Sequence, residues 1–452
     1  MRLRKTITTI VATAILLAGW QLFAVIANQP ELIPSLPRLV RTLCEWLVSG
    51  SFYQSVGATI LRGILGMSIS FVCAIGMAGL FARFEWVYEL FRPLLAIMRS
   101  IPVISFILLA LIFLNPESIP LMIAFLTMFP LLTENLTRGI LDLRPGLSIM
   151  ARQFHIKCSN VLFQIIYPQL KPFLYSGLAS AAGFGWRAII MGEVLSQCAF
   201  GIGSEMKRAQ NFIAVPELLA WTIVAVFISF FFDKGISKVA DITPKISFAN
   251  EDQTTPTPTL SVLDTKDISY QYGIQHFSHS FQKGIIYGIS APSGKGKTTL
   301  LNLIGGILLP TEGEIHPTRH FGIATIFQQP QLLPHLTAEE NIILPLSSFL
   351  TEEKARRIAQ KHLQEMEMEP FGNRYPKELS YGQQQRIAIA RALAYPSPLL
   401  LMDEPFKGLD EALSHRIIER IREKQMKEER IILFTSHNPD EIRLLADEVI
   451  YL

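Results

Sequence analysis

Residues 285–298 read Ile-Ile-Tyr-Gly-Ile-Ser-Ala-Pro-Ser-Gly-Lys-Gly-Lys-Thr, a short apolar strand that leads into a loop rich in glycine and lysine. This is the strand–loop–helix context that a phosphate-binding loop requires. The backbone N–H groups of such a loop and of the following helix start converge on phosphate oxygens. We therefore expect Lys297 to reach the β- and γ-phosphates of a nucleotide and the Thr298 hydroxyl to bind Mg²⁺. The loop departs from the pattern at its first position, which is Ala291 instead of glycine.

A second stretch, at 399–404, supplies the carboxylates that such a site needs. It reads Leu-Leu-Leu-Met-Asp-Glu, so that an apolar run ends in Asp403 and Glu404. Paired acids at a strand end are mostly helix caps or loop charges. When the two acids follow a phosphate-binding loop in the sequence, they favour a site for phosphoryl transfer. This reaction needs a metal, a group of phosphate-binding residues and a positioned nucleophile. In this interpretation Asp403 supports Mg²⁺ through water and Glu404 polarises the attacking water.

Residues 261–452 resemble the ATP-binding-cassette (ABC) family, because further motifs follow in that family's order. Residues 379–383 (Leu-Ser-Tyr-Gly-Gln) are similar to its signature motif, with Tyr381 in place of the first glycine. Gln328 resembles the Q-loop glutamine, which contacts Mg²⁺ and senses the membrane half. His437 resembles the switch histidine that contacts the γ-phosphate. Taken singly, the signature serine could be an ordinary helix N-cap.

Two more positions extend the resemblance. Asp410, in the sequence Lys-Gly-Leu-Asp, resembles the D-loop aspartate. Tyr272 is placed where the family stacks an aromatic ring on adenine, with Tyr270 as the alternative. The resemblance implies that ATP and Mg²⁺ are bound and that Glu404 and His437 are catalytic. It assigns nucleotide binding to Tyr272, Ala291, Pro292, Ser293, Gly294, Lys295, Gly296, Lys297, Thr298, Thr299, Gln328, Ser380, Gly382, Gln383, Asp403 and Asp410, with Thr298, Gln328 and Asp403 as the metal-binding members.

The chain as a whole is more apolar than a soluble protein. Of its 452 residues 50% are hydrophobic and 17% charged, against about a quarter charged in soluble domains. We predict an α-helical membrane permease domain over 1–242, a polar linker over 243–260 and an α/β P-loop ABC ATPase domain over 261–452. Each membrane helix must cross a hydrocarbon core of about 30 Å. About six membrane helices are expected, over 7–27, 54–81, 93–114, 118–136, 173–199 and 212–232. The alternative for residues 7–27 is a cleaved signal peptide, although the apolar region of a signal peptide is shorter than this segment.

Charge is distributed unevenly along the chain. Residues 1–245 hold 20 Lys/Arg against 12 Asp/Glu, and residues 246–452 hold 21 against 26. The distribution of the basic residues favours a membrane topology in which the N-terminus and the second half of the chain lie on the cytoplasmic side. We expect a multi-pass protein of the bacterial plasma (inner) membrane, in contact with lipid, and the acidic second half argues against nucleic-acid binding. The four cysteines have no regular spacing and indicate neither a disulfide framework nor a metal site.

The loop between the fourth and fifth expected spans resembles the cytoplasmic coupling loop of ABC importer permeases. Ala151 and Pro168 fit that motif, whereas His155 stands where glycine is usual and Tyr167 where leucine is usual. An amphipathic interfacial helix with a basic face is an alternative that is compatible with the same role. Glu193 lies within the fifth span. Because a charge within a membrane span is costly, we expect the Glu193 side chain to face a pore or an interface.

The expected function is ATP-driven import of a small solute, with permease and ATPase fused in one half-transporter. In the ABC family two ATP-binding domains enclose ATP between them, so we expect a homodimer and a separate extracytoplasmic solute-binding protein. An exporter-type half-transporter and a non-transporting ABC protein are the alternatives. Residues 55–205 resemble the nitrate/sulfonate/taurine branch of importers. The resemblance is carried by 59–62 with Gly66, 92–95 with 99–102, and 185–188 with Glu193 and 201–203.

Overall fold

The computed structural model describes residues 2–240, 244–253, 260–271, 273–292, 294–317 and 322–452. The chain forms two compact units. The helical unit comprises Met1–Leu143 and Gln169–Thr243, and the α/β unit comprises Arg144–Pro168 and Pro244–Leu452. Residues 144–168, which we call the coupling segment, therefore fold with the α/β unit. In sequence they lie within the membrane half, and their last residues begin the apolar helical stretch Cys158–Ser196.

Long apolar helices build the helical unit. Among the described residues, four helices are long and apolar enough to span a membrane: Gly50–Arg83, Pro116–Leu141, Cys158–Ser196 and Val215–Lys238. Glu85–Ser100 and Val103–Phe113 together would make a fifth span, and Val11–Ala27 is a shorter apolar helix. The helices up to the second unit are Arg2–Ala27, Leu36–Trp46, Gly50–Arg83, Glu85–Ser100, Val103–Phe113, Pro116–Ser118 (3₁₀), Ile119–Leu141, Tyr167–Ser196, Ile202–Asn211 and Val215–Ala240.

The third expected span, 93–114, is not one straight helix. The helices before and after Ile101 and Pro102 are bent by 95°. A proline disfavours the helical conformation of the residue before it, and Ile101 is extended with a ψ of 129°. The apolar segment is therefore interrupted at this dipeptide, and the two helices together, not one straight helix, would make the expected span.

Small residues bring two helices of this unit close together. A Cβ on Gly66 in Gly50–Arg83 would lie 2.6 Å from the Cβ of Ala124 in Ile119–Leu141. Such contacts matter in membrane helices because association there depends on close packing, not on a hydrophobic driving force. Ala74 is fully buried in the same seam.

Two sheets organise the α/β unit. Its strands are β1 (Val262–Tyr270), β2 (Ile274–Gln282), β3 (Ile286–Ser290), β4 (Glu312–His316), β5 (Ala324–Ile326), β6 (Leu399–Asp403), β7 (Ile431–Thr435) and β8 (Glu448–Tyr451). β2, β1 and β4 form an antiparallel sheet, whereas β5, β6, β7, β3 and β8 form a parallel sheet in that order. β6 and β7 are buried along their whole length, which explains why both read as unbroken apolar runs.

The carboxyl ends of β3, β6 and β7 lie side by side. In the register of the parallel sheet, Asp403 is opposite Thr435 and Thr435 is opposite Ile289. Ligand sites of open α/β sheets lie at this edge. The helical segments of this unit are Pro145–Gln153, Cys158–Asn160, Val161–Ile166 (π), Lys297–Ile304, Ala338–Leu346, Glu352–Glu365, Glu369–Phe371 (3₁₀), Pro376–Glu378 (3₁₀), Tyr381–Ala394, Glu411–Glu428 and Pro439–Leu445.

The first part of the expected linker packs against the α/β unit. Within 243–260, residues 244–253 and Leu260 are described. Asn160 of the coupling segment exchanges hydrogen bonds with the backbone N–H and C=O of Ser247, both at 2.8 Å. The Ala249 N–H donates to the Ser347 carbonyl at 3.1 Å. These residues have no regular secondary structure, yet they are held in place between two parts of the unit.

Candidate nucleotide site

The phosphate-binding loop connects β3 to the helix Lys297–Ile304. Gly294 and Gly296 have φ angles of +80° and +92°, a left-handed conformation that glycine adopts without a Cβ clash. A Cβ on Gly296 would also lie 2.8 Å from the carbonyl oxygen of Gly273. The buried Lys297 donates from Nζ to the carbonyl of Ala291 at 2.7 Å. The lysine therefore lies along the inner side of the loop.

Ala291 is accommodated without backbone strain. It is not among the described residues with a positive φ, so its Cβ is not forced into the left-handed region that favours glycine. Of the other expected loop residues, Pro292 and Lys295 are exposed and Thr299 is half-buried. Ser293 lies outside the described residues.

Asp403, at the end of β6, is the buried carboxylate of the site. Its Oδ2 accepts a hydrogen bond from the Thr298 hydroxyl at 2.9 Å, and its Oδ1 accepts one from the Thr435 hydroxyl at 2.8 Å. Burial raises the pKa of Asp403, and the two hydroxyl groups counteract part of that effect.

The donor set of Thr298 and Asp403 fits Mg²⁺. This ion prefers oxygen ligands and is usually bound by one or two carboxylates together with the phosphates of a nucleotide. Among the described residues no cluster of three or more His, Cys, Asp or Glu could hold a metal.

Glu404 begins the turn after β6 in a left-handed conformation, with a φ of +49°. Such a backbone costs about 1–3 kcal/mol and is concentrated at functional sites. Its carboxylate pairs with His437 Nε2 at 2.9 Å and Lys407 Nζ at 3.4 Å. Burial opposes ionisation, but the hydrogen bonds and positive charge around it hold the pKa of Glu404 below its usual value. Glu404 is therefore ionised at neutral pH and can accept a proton.

Gln328 reaches the site from the loop after β5. Its side chain lies close enough to Glu404 to lower the pKa of that carboxylate. It also lines a cavity of about 260 Å³ together with Thr298 and Asp403. Gly146 of the coupling segment borders the same cavity, so the coupling segment and the expected metal-binding residues share one space.

The signature motif begins the helix Tyr381–Ala394. The Ser380 Oγ accepts a hydrogen bond from the Gln383 N–H at 3.3 Å, and the Gln383 Oε1 accepts one from the Ser380 N–H at 2.9 Å. This reciprocal pair is a capping box, the ordinary role that the sequence left open. A Cβ on Gly382 would lie 2.6 Å from the carbonyl oxygen of Gly408, so the two motifs are in close contact.

The remaining expected site residues are less directly connected. The Asp410 Oδ1 accepts a hydrogen bond from the Leu413 N–H at 2.9 Å and thereby caps the helix Glu411–Glu428. Tyr272 lies outside the described residues. The alternative, Tyr270, is partly buried against the apolar core of the α/β unit. The described contacts thus join the phosphate loop to the carboxylates at the end of β6, while the signature and Asp410 cap neighbouring helices.

Two contributors to the site were not predicted. The Thr435 hydroxyl donates to Asp403 and accepts from the Glu404 N–H at 3.0 Å. Its signal in the sequence is weak: a hydroxyl residue that ends an apolar run two positions before His437. Lys407 belongs to the D-loop motif, but nothing in the sequence indicates that its ammonium group pairs with Glu404.

The coupling segment is fixed by buried contacts inside the α/β unit. The Gln153 side chain donates to the Gly305 carbonyl at 2.8 Å. Phe154 is fully buried, and its ring meets the Tyr395 ring edge-on at a centroid distance of 5.2 Å. His155 has a φ of +47°, so the position where the importer motif has glycine does require a left-handed backbone.

Glu193 takes part in a buried ion pair of the helical unit. Its carboxylate accepts hydrogen bonds from Arg62 at 2.8 Å, from the Thr59 hydroxyl at 2.9 Å and from the Gly203 N–H at 3.0 Å. Arg62 also binds Glu117 at 2.6 Å. Glu193 is fully buried and faces the packed interior of the unit, not the pore or interface that its position in the sequence favoured. The ion pair explains how the charge is tolerated there.

The fold and the site together define a class: an α/β P-loop domain for ATP joined to a helical membrane region. Residues 274–407 match the family described as "ABC transporter". Residues 56–233 match the family described as "Binding-protein-dependent transport system inner membrane component".

Two curated relatives agree with this assignment. The Fe(3+) ions import ATP-binding protein of Rhizobium etli is 35% identical over 189 residues, which cover 40% of this chain and 54% of that protein. The thiamine import ATP-binding protein of Yersinia pseudotuberculosis is 34% identical over 205 residues, covering 42% and 86%. A solved dimeric ATP-binding cassette bound to ADP and Pi is 32% identical, covering 42% and 94%, with a TM-score of 0.40. The chain spans about half the length of the first curated relatives it matches. It belongs to the ABC transporter family.

Proposed function

We propose that this chain is an ATP-driven importer of a small solute, in which permease and ATPase form one half-transporter. The observation that carries the proposal is the coupling segment, which folds into the same compact unit as the ATP-binding domain. It is continuous in sequence with the membrane helices Ile119–Leu141 and Tyr167–Ser196. A movement of the α/β unit is thereby passed to those helices. The match of residues 56–233 to a binding-protein-dependent permease family favours import.

Two copies of the chain work together in this proposal. ATP held on the phosphate loop of one copy is closed over by Ser380 and Gly382 of the other, as the resemblance to the ABC family implies. Binding favours the closed arrangement, and hydrolysis removes that preference, which is how a ligand shifts a conformational equilibrium. A separate extracytoplasmic solute-binding protein delivers the solute, and the ATPase lies on the cytoplasmic side of a bacterial inner membrane.

Hydrolysis follows from the geometry at the end of β6. Lys297 binds the β- and γ-phosphates, and Glu404 orients a water and accepts its proton as the water oxygen attacks the γ-phosphorus. The bond from that phosphorus to the β–γ bridging oxygen breaks, so that ADP and inorganic phosphate leave. His437 pairs with Glu404 and, as the resemblance to the ABC family implies, contacts the γ-phosphate. Thr298, Gln328 and Asp403 would hold Mg²⁺, which when bound offsets phosphate charge. The other residues of the set position the nucleotide.

The solute class is proposed from the membrane half. The residues that resemble the nitrate/sulfonate/taurine branch include Thr59, Arg62 and Glu193, which in this structure form one hydrogen-bonded group. That cluster supports the resemblance, because Glu193 is 134 and 131 residues after Thr59 and Arg62 and yet contacts both. Uptake of nitrate, taurine or an organic sulfonate is the corresponding expectation.

The test is ATP hydrolysis by the purified full chain in lipid nanodiscs, with and without Mg²⁺. We expect activity that is sigmoidal in ATP concentration, requires Mg²⁺ and is abolished by Glu404→Gln. Glu423→Gln is the control, because this exposed glutamate is on the helix Glu411–Glu428. Proteoliposomes loaded with ATP would then be tested for import of the three solutes in the presence of candidate binding proteins. Hydrolysis equal in the wild type and in Glu404→Gln would contradict the assignment of the site, and export would contradict the direction.

A further inference from the structure

Tyr381, the residue that departs from the signature glycine, makes two contacts within the α/β unit. Its hydroxyl donates to the carbonyl oxygen of Gln328 at 2.8 Å. Its ring packs against Gly408, where an added Cβ would lie 2.7 Å from the Tyr381 Cδ1. The side chain therefore joins two backbone segments that are distant in sequence.

Both of those segments carry a side chain that contacts Glu404. The Gln328 side chain borders the same cavity as Asp403, the residue before Glu404, and lies close enough to the Glu404 carboxylate to lower its pKa. Lys407, directly before Gly408, pairs with the same carboxylate at 3.4 Å. A glycine at position 381 would make neither the hydroxyl contact nor the ring contact, so the arrangement depends on the tyrosine.

The turn at Gly408 is shaped to receive the ring. Gly408 has a φ of +78°, which is strained for any other residue. The absence of a side chain at this position also removes the clash that a Cβ would make with the Tyr381 ring. The tyrosine and the glycine are thus complementary, and this explains how a bulky residue is accommodated in the signature.

We propose that Tyr381 is a positioning residue for Glu404, acting through the backbones of Gln328 and Gly408. It keeps the Gln328 amide and the Lys407 ammonium beside the carboxylate that activates water. This inference rests on the proposed ATP hydrolysis and adds a residue to it. In this chain the signature therefore serves two sites: Ser380 and Gly382 face the ATP of the second copy, and Tyr381 supports the catalytic carboxylate of its own copy.

The test uses the full chain in nanodiscs and three substitutions. Tyr381→Phe removes only the hydroxyl and keeps the ring against Gly408, whereas Tyr381→Gly removes both contacts. Tyr53→Phe is the matched control, because the exposed Tyr53 hydroxyl also donates to a backbone carbonyl, that of Leu47 at 3.0 Å in the helical unit. The measurements are kcat and KM for ATP.

We expect Tyr381→Phe to lower kcat by about threefold to tenfold, the effect of one hydrogen bond, with KM for ATP nearly unchanged. Tyr381→Gly should have a larger effect, and Tyr53→Phe none.

Other results would overturn the inference. A wild-type kcat in Tyr381→Phe would show that the hydroxyl does not position Glu404, and a raised KM with unchanged kcat would indicate a role in ATP binding. Hydrogen exchange of the backbone around Gln328, measured without nucleotide, tests the geometry independently of activity: Tyr381→Phe should accelerate it, and an unchanged rate would contradict the contact. If Glu404→Gln were as active as the wild type, the proposed function would fail instead.

Discussion

Asp403 and Thr435 face each other at the carboxyl ends of neighbouring parallel strands, and the Thr435 hydroxyl donates to the Asp403 carboxylate at 2.8 Å. The same hydroxyl accepts a hydrogen bond from the Glu404 N–H at 3.0 Å. One side chain thus supports both the expected metal-binding carboxylate and the backbone of the expected base. The register between β6 and β7 puts it there.

Thr435→Val tests this relationship, since valine removes the hydroxyl while it keeps a β-branched side chain. We expect kcat for ATP to fall by about tenfold, because a buried carboxylate and a buried N–H each lose a partner. More Mg²⁺ should be needed for half-maximal activity. Titration of hydrolysis against Mg²⁺ measures both effects. Thr265→Val in β1 is the control, because the Thr265 hydroxyl is also buried and donates to a backbone carbonyl. An unchanged Mg²⁺ requirement in Thr435→Val would contradict the support of Asp403.

Lys407→Met tests the charge beside Glu404. The pKa of Glu404 lies below its usual value and its ionised form is the active one, so activity is lost as the pH falls through that pKa. Removal of the Lys407 charge raises the pKa, and the acidic limb of kcat should therefore move to higher pH, by up to about one unit. Lys283→Met is the matched control for Lys407→Met, because Lys283 also forms an ion pair with a glutamate, the exposed pair with Glu429 at 2.7 Å. A limb that stays in place would show that Lys407 does not stabilise the carboxylate.

Several parts of the fold could be predicted because their signals are local. The phosphate loop and the apolar run before Asp403 each identify their own strand, and the α/β class follows from their order. The bend at Ile101 and Pro102 has a local signal as well, since a residue before proline disfavours a helix. Apolarity over 93–114 obscured it, because composition indicates that a segment is buried in lipid but not that it is straight.

Other features depend on which strands and loops become neighbours. The Thr435 hydroxyl binds Asp403 only because β7 lies beside β6. The order of strands in a parallel sheet cannot be predicted from the sequence of either strand alone. Tyr381 looks like a defect when the signature is considered alone. Its partners Gln328 and Gly408 come from separate motifs, so its contacts become visible only in the folded unit. The assignment of ATP and Mg²⁺ to individual side chains stays a prediction.

Asn160 holds the linker against the α/β unit, and Asn160→Leu should release it. The asparagine is buried and bonds to both backbone groups of Ser247 and to the Ser347 hydroxyl at 2.8 Å. Leucine leaves these groups unpaired, at a cost of about 1–3 kcal/mol. Hydrogen exchange over 244–253 should become faster, whereas Ser347→Ala, which removes one of the bonds, should have a smaller effect. Equal protection in Asn160→Leu and the wild type would contradict this role.

The buried ion pair of Arg62 and Glu193 should stabilise the helical unit, and substitutions of the two residues test this contribution. Arg62→Met leaves a fully buried carboxylate without its cation, and breaking such a pair costs about 3–5 kcal/mol. We expect a markedly lower unfolding temperature, measured by intrinsic tryptophan fluorescence. Glu193→Leu removes the charge that Arg62 compensates, so the double substitution should lower the temperature less than the sum of the two single ones.

The control for this cycle is Arg41→Met. Arg41 pairs with Glu45 at 3.3 Å on the helix Leu36–Trp46, and both side chains are largely exposed. Exposed pairs contribute about 0–1 kcal/mol, so this substitution should leave the unfolding temperature almost unchanged. If the effects of Arg62→Met and Glu193→Leu simply added, the two residues would be independent and the ion pair would not stabilise the helical unit. Non-additive effects would instead establish that Arg62 is what allows a carboxylate to be buried among these membrane helices.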